Sequence, residues 1–342
     1  MTDTTTTTTT TAVPTFTVDA YALRNALQLL KPAMPRRGSD ALPILDMVAM
    51  FGDRGALVLS ATDLELTVSV PLEVHALNMG PGSDDLGRRP VTCVPFGTLH
   101  SLFGKAKKTT GPATFTVVDR YTCQVEVDGL ASTVTTGDVN DWPRLPMYWA
   151  GELVHDATMT PAVLADVVDA AATHPARPIL TGVLFDEGRI VATDSYRLHW
   201  AELGYSVTGD HGPQLVPSRA VKHAAKCAIK AKAATVGIAW QDRTVTFTAG
   251  DATVTTRLIE GEFPNYRRLV PDTMPALVTF NRAQLVDAVK RMGEIARAAG
   301  PATPVRLEMV DAATCTVAVE AQGRRQEMTM GCSVTGTGGI GL

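Results

Sequence analysis

Two distant stretches of this chain set apolar groups beside arginines, a mixture suited to holding a peptide. Residues 177–203, RPILTGVLFDEGRIVATDSYRLHWAEL, carry Thr193-Asp194 and then Ser195, Tyr196, Arg197 and Leu198. Residues 262–271, EFPNYRRLVP, carry Pro264, Tyr266, Arg267, Arg268 and Leu269. Apolar walls for an anchor side chain, with a few polar groups to orient an extended backbone, are the ingredients of a peptide groove. From spacing alone, two ordinary surface loops with arginines are an equal reading.

A second chemistry lies in the cations. Arg219, Lys222, His223, Lys226 and Lys230 recur at i, i+3, i+4 spacing on a predicted helix and so share one face. Lys105, Lys107 and Lys108 end a second predicted helix, and Lys290, Arg291 and Arg297 mark a third. A solvated lysine face is the commoner fate of such stripes. The net charge of −4 gives no overall pull towards nucleic acid or membrane, so any basic function comes from local patches.

Catalytic signatures are missing from the sequence. It holds no Gly-rich phosphate loop, no H-E-x-x-H and no G-x-S-x-G, and its seven histidines are dispersed. Asp63 and Asp194 recur at equivalent positions of two repeats, which suggests acids that accept backbone N–H groups at a turn. The five cysteines (Cys93, Cys123, Cys227, Cys315, Cys332) form no C-x-x-C pair, favouring buried or free thiols over a disulfide scaffold or zinc site. No apolar run of membrane-spanning length and no signal peptide is visible, so a cytoplasmic location is expected. The reading is of a non-enzyme that needs no cofactor or metal.

The elements that must position these residues are repeated. Residues 42–66 loosely copy 177–203: each has Pro-Ile-Leu, alternating strand residues, an acidic-Gly turn and a strand ending in Ala-Thr-Asp. Within 177–203, two strands flank the turn Asp186-Glu187-Gly188. Val134-Thr135-Thr136 and Trp142-Pro143 return as Val254-Thr255-Thr256 and Phe263-Pro264. Helices are predicted over 20–30, 96–107, 161–172, 219–231 and 282–297, several after an N-cap or an early proline. Each half-unit reads as a strand, a helix and about three Val- and Thr-rich strands, an α+β plan with helices on antiparallel sheets. Five half-units fit the chain: 16–74, 91–142, 158–203, 214–266 and 277–334. After a disordered Thr-rich tail over 1–15, the expected domains are 16–150, 151–273 and 274–342, the third with its first half alone.

These motifs resemble the bacterial sliding clamp family, the beta subunits of DNA polymerase III. The matching stretches are Leu42-Pro43-Ile44-Leu45, Ala61-Thr62-Asp63-Leu64-Glu65, Leu180-Thr181-Gly182, Ala192-Thr193-Asp194-Ser195-Tyr196-Arg197-Leu198 and the run from Phe263 to Pro271. The resemblance implies a DNA-clamp fold and a head-to-tail homodimeric ring around duplex DNA, with helices lining the hole and sheets outside. It implies Leu180, Thr193, Ser195, Tyr196, Arg197, Leu198, Pro264, Arg268 and Leu269 as the groove for motifs of the polymerase III catalytic subunit, the clamp loader, repair polymerases and other clamp-motif proteins. It implies loose, sequence-independent phosphate contacts from Arg36, Arg37, Lys105, Lys107, Lys108, Arg219, Lys222, Lys226, Lys230, Lys290, Arg291 and Arg297. The dimer contact would join strands over 123–136, including Ser132, to 291–330, where Glu294 and Ile295 replace an apolar pair. A nucleoid-associated cytoplasmic protein is implied. The family's C-terminal apolar tail and sixth half-unit have no counterpart, so the alternative is a clamp-derived peptide-binding module or decoy that closes no ring. Leu180 and Leu198 also fit as core residues.

Overall fold

A computed structural model describes residues 13–35, 42–53, 55–78, 89–145, 153, 155–174, 176–202, 212–269, 276–300 and 303–336. The predicted tail and both predicted domain boundaries lie outside the described residues. The chain divides into two compact units, 1–264 and 265–342.

The first unit contains four half-units. The first comprises β1 (Thr15–Asp19), α1 (Ala20–Leu30), β2 (Met47–Asp53), β3 (Ala56–Thr62), β4 (Leu66–Leu72) and β5 (Val74–Asn78). Next come β6 (Thr92–Pro95), α2 (Phe96–Phe103), β7 (Pro112–Asp119), β8 (Thr122–Val127) and β9 (Leu130–Thr135). The second repeat supplies β10 (Ala157–Met159), α3 (Pro161–Val168), β11 (Gly182–Asp186), β12 (Arg189–Thr193) and β13 (Leu198–Glu202). It ends with β14 (Gln214–Pro217), α4 (Ser218–Ala231), β15 (Val236–Gln241), β16 (Thr244–Ala249) and β17 (Ala252–Arg257). The second unit holds β18 (Ala276–Phe280), α5 (Arg282–Ala299), β19 (Val305–Met309), β20 (Thr314–Ala321) and β21 (Arg324–Gly336).

Local chemistry sets the starts of these elements. Asp19 caps α1 by accepting the Ala22 N–H at 2.6 Å, and Asn281 caps α5 by accepting from Ala283 and Gln284. Pro161 opens α3, where its missing N–H costs nothing. Glu187 and Gly188 both take positive φ (42° and 81°), which matches the twist of the β11–β12 hairpin they join. Two expectations are corrected. The helices predicted over 96–107 and 161–172 stop at Phe103 and Val168, the first as Gly104 ends the ladder. The Pro-Ile-Leu segments are not strand but 3-10 turns, Pro43–Asp46 and Pro178–Thr181, because proline in first position favours a tight turn.

All strand pairings are antiparallel, the expected α+β class. The first unit holds sheets in the order β5-β1-β7-β8-β9, β10-β15-β16-β17-β4-β3-β2-β6 and β13-β12-β11-β14. The eight-stranded sheet joins the two repeats where β17 pairs β4, with Thr253 opposite Ser69 and Val254 opposite Val68. Both valines are fully buried, in one core with α1 on the β4 side and α4 on the β17 side. Each such side chain contributes about 1.5–3 kcal/mol by leaving water. Phe16, Phe115 and Phe103 stack in the first repeat, with ring centroids 5.1 and 6.0 Å apart, and Phe185 meets Trp240 edge-on in the second. The second unit folds as one half-unit, sheet order β18-β21-β20-β19, with Ala288, Met292 and Ala296 of α5 against Cys315, Val317 and Val319.

Candidate functional site: a rigid corner and its cations

The Thr-Asp corners are built alike in both repeats. Asp194 Oδ1 accepts the N–H groups of Tyr196 and Arg197, each at 3.0 Å, while Thr193 Oγ1 donates to the Arg197 carbonyl at 2.8 Å. Asp63 accepts from Glu65 and Leu66 at 3.1 and 2.9 Å in the same way. Both corners pass through a left-handed residue, Leu64 at φ 74° and Ser195 at φ 80°. The predicted role of these acids as turn acceptors is the one observed.

They differ in the cation each acid holds. Asp194 takes the Arg197 Nε on Oδ2 at 3.0 Å, and Arg197 also donates to the Asp169 carbonyl at the end of α3, at 2.6 Å. Burial pushes the Asp194 pKa up, but the two N–H donors and the guanidinium outweigh it and hold the acid below its ordinary value. Asp63 has no such local partner, since Leu66 stands where the second repeat has Arg197. It takes Arg219 of α4 instead, through both carboxylate oxygens at 2.8 Å. Leu66 is the signal in the sequence that could have pointed to this link.

The corner assembles much of the predicted groove in the first unit. Tyr196 is 99% exposed, so its ring is presented wholly to solvent. Ser195 accepts from Arg177 Nη1 at 2.7 Å, Thr193 is buried, and Leu198 is half-buried at the start of β13. Leu180 is buried in the turn before β11, which makes it a wall residue in the core, while Pro264 is exposed. In the second unit Arg268 and Leu269 are exposed on the 3-10 turn Tyr266–Leu269.

The predicted cation stripe is partly redrawn. His223 does not share the exposed face: it is buried, hydrogen-bonded to the Leu29 backbone and 3.5 Å from Cys227 Sγ. Burial pushes its pKa down to about 4, with Lys226 adding to the effect and the Leu29 bond opposing it. Arg219 is engaged with Asp63, Lys222 pairs with Asp169 at 3.0 Å, and Lys230 reaches Gln28 Oε1 of α1 at 3.1 Å. Lys226 stays exposed on the same helix. Lys105, Lys107 and Lys108 are exposed but follow α2 instead of ending it, because the helix stops at Phe103. On α5, Lys290 and Arg297 are exposed and Arg291 pairs with Asp287 at 2.8 Å. Arg36 and Arg37 lie outside the described residues.

Of the predicted contact residues, Ser132 is half-buried on β9, the edge strand of its sheet. Glu294 is exposed on α5, and Ile295 is half-buried against the second unit's own core. The sequence gave no sign of a cleft of about 1220 Å³ between the two repeats of the first unit, lined by Leu42, Leu45, Leu64 and Ile259 with Asp63 and Arg219 at its polar side. Among the described residues no three His, Cys, Asp or Glu side chains are placed to hold a metal, and no helix is long and apolar enough to cross a membrane.

Half-units of one strand, one helix and an antiparallel triplet, joined edge to edge, define the DNA-clamp class of fold. Residues 156–265 match the family model of the DNA polymerase III beta subunit, central domain. The chain is 29% identical over 185 residues to the beta sliding clamp of Streptococcus pneumoniae, a match covering 52% of this chain and about half, 48%, of that relative. It is 27% identical over 287 residues to the beta sliding clamp of Pseudomonas aeruginosa, covering 81% of this chain and 73% of the relative. A solved sliding clamp from Pseudomonas aeruginosa, bound to griselimycin, shares the fold with a TM-score of 0.76 at 23% identity, over 97% of this chain and 87% of that one. Together these findings indicate a member of the DNA polymerase III beta sliding clamp family.

Proposed function

We propose that the chain is a ring-shaped processivity factor that encircles duplex DNA and tethers replication and repair proteins by their short linear motifs. The observation that carries this reading is the β4–β17 joint, which makes two repeats one continuous sheet and sets α1 beside α4. Lys226, Lys105, Lys107, Lys108, Lys290 and Arg297 are its phosphate contacts, with Arg36 and Arg37 as further candidates. Arg219, Lys222, Lys230 and Arg291 contribute only by exchanging an internal partner for phosphate. The exposed Tyr196, the corner from Thr193 to Leu198, Leu180 and Pro264, with Arg268 and Leu269, form the peptide groove. Its occupants are the polymerase III catalytic subunit, the clamp loader, repair polymerases and other motif-bearing proteins. Copies associate head to tail as a homodimer, with Ser132 on one meeting face and Glu294 and Ile295 on the other. The protein acts without catalysis or cofactor, in the cytoplasm at the nucleoid.

The test is retention on circular against linear DNA at raised salt. A topological ring stays on the circle and slides off the linear duplex. Equal loss from both would sink ring closure. Griselimycin provides a separate probe of groove binding. The ion pairing of Arg219, Lys222 and Lys230 favours one second reading, a peptide-binding module that does not hold DNA. That reading predicts griselimycin binding with no retention on either substrate.

A further inference from the structure

The joint inside the first unit is made by two kinds of strand: the last strand of one half-unit, β17, and the third strand of another, β4. Each kind occurs once more in the unit, as β9 and β13. Both end their sheets, with an outer edge that no described strand covers.

Backbone hydrogen bonds fix the equivalence. Gly137 N–H donates to the Cys93 carbonyl at 2.9 Å as Ile259 donates to Leu215 at 2.8 Å, so Ser132 stands at the position of Val254. This is two residues off the match suggested by the Val-Thr-Thr motifs. Asp194 N–H donates to the Arg197 carbonyl as Asp63 does to Leu66, so His199 stands at the position of Val68. Pairing alternates along an antiparallel ladder. The bond from Thr136 N–H to the Tyr121 carbonyl therefore leaves the backbone groups of Ala131 and Thr133 pointing outward. On β13 the outward groups are those of Leu198 and Trp200. At the internal joint these are the positions where Thr253 and Thr255 meet Ser69 and Thr67.

Natural sheets blunt free edges with charge, proline or bulges. Ala131, Thr133, Leu198 and Trp200 are uncharged, none is proline, and the β8–β9 register runs unbroken. We propose that β9 of one copy adds antiparallel to β13 of a second copy, with Ala131 opposite Trp200, Ser132 opposite His199 and Thr133 opposite Leu198. The joint between copies then repeats the joint within the chain. Such head-to-tail contacts close into rings or run on as fibres. The proposal rests on the head-to-tail reading above but gives β9 a different counterpart from the Glu294–Ile295 face. It also makes Leu198 common to assembly and peptide capture.

The test uses the full chain. Ser132→Cys combined with His199→Cys, under mild oxidation, is expected to give covalent multimers whose disulfide joins those two positions, absent from either single variant. Thr133→Pro removes an outward N–H that no internal bond uses and is expected to abolish multimers in light scattering while leaving circular dichroism unchanged. Cross-linking by Ser132→Cys with Ile295→Cys, and not with His199→Cys, would overturn this joint and leave the homodimer standing. A monomer mass at every concentration, with neither pair cross-linked, would overturn both.

Discussion

Arg219 and Asp63, 156 positions apart, form a two-point ion pair in which each guanidinium nitrogen lies 2.8 Å from its own carboxylate oxygen. Asp63 already accepts two backbone N–H groups at its corner, so the pair ties α4 of the second repeat to a rigid point of the first. Glu65 adds a third contact at 3.5 Å. A cation predicted to face phosphate therefore has a structural task first.

Arg219→Ala is expected to lower the unfolding free energy of the protein by about 1–3 kcal/mol, between the values for exposed and buried pairs. Urea denaturation measures it. An Arg219→Ala, Asp63→Asn double variant should lose less than the sum of the singles, and strict additivity would remove the coupling argued here.

Lys226 is the contrasting residue on the same helix. Lys226→Gln should leave stability within about 0.5 kcal/mol, because the side chain is exposed. Its effect is expected in DNA affinity, where losing one phosphate contact reduces the logarithmic salt slope by about 1. An unchanged slope from fluorescence anisotropy would take Lys226 out of the DNA surface.

Tyr196 and Leu180 separate binding from packing within one groove. Tyr196→Ala leaves an already solvated position and should cost at most about 0.5 kcal/mol of stability, yet weaken griselimycin or peptide binding by more than about 1 kcal/mol. Leu180→Ala removes a buried wall and is expected to cost about 2–5 kcal/mol in stability. Calorimetry on both variants decides; a large melting shift for Tyr196→Ala contradicts its exposure.

His223 gives the first unit a pH dependence of known sign. Its pKa falls from 6.5 to about 4 on folding, so the unfolded chain binds the extra proton between those values. Stability is therefore complete above pH 6.5 and is lost as pH falls towards 4, by about 3 kcal/mol for this group. His223→Gln should flatten that part of the curve of unfolding free energy against pH. The same slope in the variant would assign the loss to other groups.

Much of the local architecture was readable in advance. Asp19, Pro161 and Asn281 announce helix starts because a cap acts on N–H groups two or three residues away. Asp63 and Asp194 announce turns for the same reason. Helix ends were less legible, as Lys105 and Lys107 continue a plausible pattern past Gly104. The Val134 and Val254 motifs look alike but sit two residues out of register, since hairpin pairing is set by the turn and the neighbouring strand.

The amino-acid sequence by itself determined the repeated half-units, the two Thr-Asp corners and the exposed Tyr-Arg-Leu run, all of which depend on contacts spanning a few residues. Only the tertiary structure decided that His223 turns inward, that Arg219 answers Asp63 and that β9 and β13 are left as edges. Each of these depends on which distant surface arrives first to satisfy a charge or a hydrogen-bonding group. A linear pattern lists such groups but cannot pair them.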